Sequence, residues 1–98
     1  MKKTVEKVIE ILSAYKPELQ KQYKIKRIGI FGSYVKNEEN EESDVDILIE
    51  YYELPDLIEF IELKNHLSDL LDMKVDLVMK RALKPHIGNR ILQEVVNL

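Results

Sequence analysis

Asp44 and Asp46 stand two residues apart at the start of Asp44-Val45-Asp46-Ile47-Leu48-Ile49-Glu50, a run whose β-branched content favours a strand. Side chains alternate between the faces of a strand, so both carboxylates project to one side while Val45 turns into the opposite layer. Asp is a poor strand former, and two carboxylates held side by side repel unless a cation lies between them. Such an arrangement either binds metal or strains the fold.

The rest of the chain supplies a sheet and its cover. Val5, Val8, Ile9 and Leu12 repeat at helical spacing and predict a helix over about 4–15, which Pro17 interrupts or restarts. Ile28-Gly29-Ile30-Phe31 reads as a strand that delivers the chain into a tight turn at Gly32, and a polar, acidic stretch over 36–43 precedes the Asp44 strand. Pro55 suits the first position of a helix, with Asp56 and Glu59 near its positive end. Leu57, Ile58, Ile61, Leu67, Leu70 and Leu71 supply the expected core stripe of that helix, which reaches about Asp72. Lys74 to Met79 predicts a third strand with Asp76 in its middle, and Pro85 opens a last helix buried through Ile87, Ile91, Leu92 and Val95. The expected order is helix, strand, strand, helix, strand, helix. Helices covering a sheet are the compact solution, so the class is α/β, or α+β if the sheet is mixed. With 98 residues, 45% of them apolar, the chain can bury one core, and a single domain over 1–98 is expected.

Composition narrows the function. The absence of cysteine removes disulfides, thiolate zinc sites and cysteine nucleophiles, and suits a cytoplasmic location. No stretch has the roughly 20 apolar residues of a spanning helix, and Met1-Lys2-Lys3-Thr4 runs into a charged amphipathic pattern, so neither a signal peptide nor a membrane role is expected. A formal net charge of −3 disfavours nucleic acid as the main partner.

Two elements carry the chemistry. If Asp76 faces the same way as Asp44 and Asp46 on an adjacent strand, three hard oxygen donors converge, a set that suits Mg²⁺ with part of its water shell kept for substrate phosphates. Gly32-Ser33 is placed where the first strand ends. Glycine lets a phosphate approach the backbone, the N–H groups after the turn and the Ser33 hydroxyl can bind outer phosphates, and Lys36 can add positive charge. A triphosphate and its metal ions then meet on one face, an arrangement fit for nucleotidyl transfer with pyrophosphate leaving.

Gly32-Ser33, the ten residues Tyr34 to Ser43, and Asp44-Val45-Asp46 resemble the signature of the DNA polymerase β-like nucleotidyltransferases. The length, together with Leu83-Lys84-Pro85 and Ile91-Leu92-Gln93-Glu94-Val95-Val96, is similar to the minimal nucleotidyltransferase branch, whose members are antitoxins paired with HEPN-domain ribonuclease toxins. The resemblance implies a mixed sheet flanked by helices, Asp44, Asp46 and Asp76 as ligands of a pair of Mg²⁺ ions, and ATP as donor. It also implies the acceptor, a tyrosine hydroxyl of the HEPN toxin that is adenylylated and so inactivated. The chain departs from many relatives at Lys36 and Asn37, where they carry Arg and Gly; Lys offers a point charge in place of a bidentate fork.

Plainer readings stand beside these. Asp44 and Asp46 can be solvated strand-end residues, Asp76 a strand aspartate at a sheet edge or one paired with a lysine, and Gly32 a turn glycine. Glu38, Glu39, Glu41 and Glu42 read as a solvated loop or as a docking surface for a basic partner. His66 and His86 read as surface or helix-packing residues, Tyr51 and Tyr52 as rim packing or base stacking, and Met73 and Met79 as core filler. Two other functions compete with adenylyl transfer: an antitoxin that neutralises its toxin by occlusion alone, and a small-molecule nucleotidyltransferase completed by a second subunit.

Overall fold

The computed structural model describes residues 4–32 and 44–98. Helix α1, Val5–Tyr23, starts at Thr4, whose hydroxyl accepts the Lys7 N–H at 3.2 Å, and stops at Lys24, which takes a left-handed conformation with φ 57°. The expected break at Pro17 does not occur; the proline lies inside one continuous helix. Val8 and Leu12 before it and Leu19 after it are all buried, so both halves are held on the sheet. That packing outweighs the roughly 3 kcal/mol that an interior proline costs.

Strand β1, Ile25–Phe31, begins earlier than the apolar run indicated; β2 is Val45–Tyr51 and β3 is Val75–Met79. β2 runs antiparallel to β1 and parallel to β3. A two-residue strand after the last helix, β4 at Val96–Asn97, pairs antiparallel with β1 and completes a mixed sheet in the order β3-β2-β1-β4. Two residues are too few to show a period, which is why β4 escapes the sequence pattern. It is held by the Leu98 N–H on the Ile28 carbonyl at 2.9 Å and by the Lys16 ammonium on the carbonyl of Leu98.

Helix α2, Leu57–Leu71, is capped by the Asp56 carboxylate, which accepts the Glu59 N–H at 2.7 Å, so Pro55 precedes the cap. Its core stripe differs from the expected one. Leu63, Leu67 and Leu71 are buried, with Phe60 and Leu70 beside them, whereas Leu57, Ile58 and Ile61 are 72%, 69% and 45% exposed. At about 100° per residue, Leu63, Leu67 and Leu71 share one narrow arc while Ile58 points roughly to the opposite side. Helix α3, Pro85–Glu94, opens on Pro85 as expected. Its predicted burial fails: Ile87 and Leu92 are exposed, Ile91 and Val95 are half-buried, and Gly88 alone is buried.

The reason is that α1 and α2 already fill one face. Val8, Leu12, Leu19, Leu63, Leu67 and Leu71 pack with Ile28, Ile30, Val45, Ile47, Ile49, Val75 and Leu77 in one core. Period-two alternation turns the remaining strand residues to the other side, which therefore carries Asp46 and Glu50 of β2 and Asp76 of β3 around the buried Leu48. Among the described residues no helix is long and apolar enough to cross a membrane.

The two stripes of α2 are separable in stability. Leu67→Ala is expected to lower the unfolding free energy by about 3 kcal/mol, and Ile58→Ala to change it by less than about 0.5 kcal/mol. Urea unfolding of the two variants checks this, and equal losses would place Ile58 in the core.

Candidate carboxylate site on the open sheet face

The register of the sheet assembles the site. Asp46 is the direct partner of Asp76 across the parallel β2–β3 pair, so the two side chains share a face and stand next to each other. The Val45 N–H bonds the Lys74 carbonyl at 3.0 Å, which fixes the entry of β2 against the entry of β3 and keeps Asp44 at the same end. On the other side Phe31 pairs with Asp46, and Gly32, the next residue, borders the Asp46 carboxylate. Gly32 has φ +78°, and a Cβ there would collide with Asp46 Oδ2. Glycine is therefore required twice, for its left-handed backbone and for the room it leaves the carboxylate.

The electrostatics follow from this crowding. The Asp46 carboxyl is pushed up to about 6, first by burial, then by the charge of Asp76, by a side-chain hydrogen bond with Asp76, and by the charge of Asp44. Every influence raises it, and no cation among the described residues pulls it down. A hydrogen bond between two carboxyl groups needs a proton on one of them. With no cation among the described residues beside it, the pair is relieved by a shared proton.

Among the described residues no three His, Cys, Asp or Glu side chains form a group able to hold a metal ion by themselves. Asp46 and Asp76 are paired, while Asp44, exposed at the end of the strand, reaches them through its charge. Half-buried Asp46 and exposed Asp76 offer a pair of hard oxygen donors that fits Mg²⁺ in the way that ion is commonly held, by one or two carboxylates with water and substrate phosphate completing the shell. The expected phosphate ligands Ser33 and Lys36, and the acidic run of Glu38, Glu39, Glu41 and Glu42, lie outside the described residues.

Other side chains take plainer roles. His66 Nδ1 lies 3.1 Å from the Tyr23 hydroxyl, a packing contact between α2 and α1. The Tyr51 hydroxyl is buried without a hydrogen-bond partner, and its phenol is pushed up to about 12, chiefly by burial and then by Glu59 and Tyr23. Tyr52 is 72% exposed, with Lys26 Nζ 6.0 Å from its ring centroid. Met73 and Met79 pack at the margin of the core. One cluster went unread in the sequence: Lys26, Arg27 and Lys80 surround Glu50 at 3.7 to 3.9 Å. Its members lie far apart in the chain, and the bulge in β1 that brings two of them together has no sequence signal.

Comparison with known proteins gives one family. The family described as Polymerase beta, Nucleotidyltransferase matches residues 6–98. The chain is 50% identical over 93 residues to the protein adenylyltransferase MntA of Thermococcus cleftensis, covering 95% of this chain and 94% of that protein. It is also 50% identical over 95 residues to a candidate protein adenylyltransferase of Methanocaldococcus jannaschii, covering 96% and 97%. Among solved structures, a candidate minimal nucleotidyltransferase superposes with a TM-score of 0.84 at 30% identity, covering 98% of this chain and 97% of that one. A chain from the complex of a tri-AMPylated HEPN toxin of Shewanella oneidensis with an MNT antitoxin gives a TM-score of 0.60 at 27% identity, covering 95% and 66%. A toxin–antitoxin complex with AMP-PNP gives 0.69 at 28%, covering 95% and 70%.

The raised Asp46 carboxyl has a stability consequence whose sign is fixed by linkage. In metal-free solution the folded protein holds this proton up to about pH 6, whereas the ordinary carboxyl value is 3.8. The contribution to stability is present below the lower value and is lost as pH rises through the upper one. Asp46→Asn, which stays neutral, is therefore expected to be more stable than the parent near pH 7.5 in chelator, by on the order of 1–2 kcal/mol after solvent screening, and to match it at about pH 4. Urea unfolding at the two pH values decides; an unchanged difference would remove the charge conflict.

Proposed function

We infer the function from a premise that the family match and the relatives supply: this chain belongs to the polymerase beta nucleotidyltransferase family and is a nucleotidyltransferase. The reading supported best is an antitoxin that transfers AMP from ATP to a tyrosine hydroxyl of a HEPN ribonuclease toxin. The observation that carries it is the pairing of Asp46 with Asp76 beside Gly32, in a chain half identical to a protein adenylyltransferase.

In this reading the acceptor oxygen bonds to the α-phosphorus of ATP, the bond from that phosphorus to the oxygen bridging the β-phosphate breaks, and pyrophosphate leaves. The hydroxyl proton passes to the carboxylate of Asp76, the exposed member of the pair. Gly32 leaves the backbone open to the triphosphate, and Ser33 and Lys36 hold its outer phosphates. Asp44, Asp46 and Asp76 would hold Mg²⁺, which when bound neutralises the α-phosphate and acidifies the hydroxyl. Asp46 lies between the other two carboxylates in influence, so it is the ligand whose loss costs most. Action is assigned to the cytoplasm, where a chain without cysteine is indifferent to reducing conditions.

A second reading has its own observation. Tyr52, Leu54, Leu57 and Ile58 leave large apolar side chains exposed near the N-terminal end of α2. Such a surface suits a stable protein complex, through which an antitoxin can neutralise by occlusion.

Incubation with labelled ATP, Mg²⁺ and the HEPN partner is expected to label the partner, and Asp46→Asn to reduce transfer at least about 100-fold with melting retained. Absence of transfer with every divalent metal tried would overturn the enzymatic reading. The double variant Asp44→Ala with Asp46→Ala separates the two: loss of protection against the ribonuclease supports catalysis, and full protection supports occlusion.

A further inference from the structure

Three rows of side chains cross the open face of the sheet. In the first, Asp76, Asp46 and Phe31 pair across β3, β2 and β1, and in the third Glu50 pairs with Arg27. The row between them takes one residue from each strand: Val78, Leu48, Gly29 and, from β4, Asn97. Alternation keeps the rows on one face, about 7 Å apart. Over Leu48 and Gly29 lies a cavity of about 230 Å³, walled by Leu92 and Val95, with Glu50 and Asn97 among its polar lining.

The polar groups of this cavity are not equivalent. Glu50 is engaged by Lys26, Arg27 and Lys80 at 3.7 to 3.9 Å. The Asn97 carboxamide has no hydrogen bond among the described residues, and its Oδ1 stands over Gly29, 3.4 Å from where a Cβ would be. An aliphatic floor and wall beside one unpaired carboxamide suit a flat heteroaromatic ring, whose faces are apolar and whose edge carries donors and acceptors.

The geometry of transfer says which ring arrives there. With the triphosphate at Gly32 after β1 and the acceptor hydroxyl at Asp76 of β3, the line from leaving to attacking oxygen runs across the strands through Asp46. The nucleoside hangs from the α-phosphorus by an oxygen off that line. Asp44 lies ahead of β2 on one side, so the direction that leaves the acids runs along β2 towards Leu48. One row, about 7 Å, is the reach of a ribose, and the base then lies over Leu48 and Gly29 beside Asn97.

We propose that Asn97 is a specificity-determining residue that reads the base of the donor nucleotide, with adenine seated among Leu48, Leu92 and Val95. The inference rests on the nucleotidyl transfer proposed above. The carboxamide N–H donates to N7 of adenine and its oxygen accepts from the 6-amino group, the two-point contact by which asparagine distinguishes this base. On the same edge guanine presents two acceptors, O6 and N7, and the carboxamide satisfies one of them.

The test measures Kd for three α,β-methylene triphosphates with Mg²⁺, which cannot transfer their nucleotide: those of adenosine, guanosine and purine riboside, the last lacking the 6-amino group. The full chain is expected to prefer the adenosine compound to each of the others at least about tenfold, and Asn97→Leu to reduce both preferences below about threefold. Leu92→Ala is expected to weaken all three by a similar factor, because an aliphatic wall does not sense the amino group. Asn97 is exposed, so the fold is retained, as melting curves check; Asn97→Ser, which adds no bulk, is expected to behave as Asn97→Leu does. A preference that survives both substitutions overturns the proposal. So does a parent that binds the three compounds alike, or one that binds Mg²⁺ tripolyphosphate as tightly as the adenosine compound; each of these leaves nucleotidyl transfer standing. A parent that binds neither the nucleotides nor tripolyphosphate overturns the transfer reading and the base site with it.

Discussion

Asp46 and Asp76 face each other across a parallel strand pair, and that contact between like charges governs the rest of the site. Parallel pairing leaves little freedom to avoid it, because a slip of one residue would turn Val45, Ile47 and Ile49 out of the core. The hydrophobic register therefore enforces the electrostatic conflict. A fold that needs β2 buried on its helix side must accept the two carboxylates together on the other. The conflict is relieved by a proton below about pH 6. Gly32 adds to the constraint, since any side chain there would displace the Asp46 carboxylate from its place.

The same one-sidedness explains why so small a sheet can present chemistry at all. Both long helices, α1 and α2, cover one face, while the end of α3 meets the other, with Leu92 and Val95 beside Gly29 of β1 and Leu48 of β2. A helix laid across the second face would have given Ile87 and Leu92 the burial their spacing suggests, and would have covered Asp46 and Asp76. Gly29 has a related part, because a Cβ there would collide with Val95 and push the end of α3 away from the sheet.

The site was more legible in the sequence than its surroundings. Alternation along β2 puts Asp46 on the face away from the core, and Asp76 needed only neighbouring register to stand beside it, whereas Asp44 lies just ahead of β2 and reaches them by charge. Gly32 was legible as a turn, although its contact with Asp46 was not. Helix faces were read less well. In α2 the apolar residues number more than one face can bury, and only the arc of Leu63, Leu67 and Leu71 follows the sheet, so counting apolar positions chose partly the wrong stripe. Pro17 was read through its local cost, while the outcome was set by burial on both sides of it. β4 and the bulge at Lys26 are decided by pairing with distant residues, which no local pattern reports.

Charge along β2 ties these points together. Asp44 and Asp46 stand at the start of β2 and Glu50 near its end, yet among the described residues cations surround only the far carboxylate. The intervening distance, about 13 Å, exceeds the screening length of roughly 8 Å at physiological salt. At such a spacing the lysines and the arginine do little for the acid pair, in line with the causes that act on Asp46, none of which is a cation among the described residues. Had Lys80 or Arg27 stood two residues nearer, an internal ion pair would have quenched the acids and stabilised the sheet, leaving no demand for an external cation. Glu50 keeps the basic groups where they are by giving them a counter-charge of their own. A carboxylate outside the acid pair in this way helps to leave Asp46 and Asp76 facing each other without a counter-charge among the described residues.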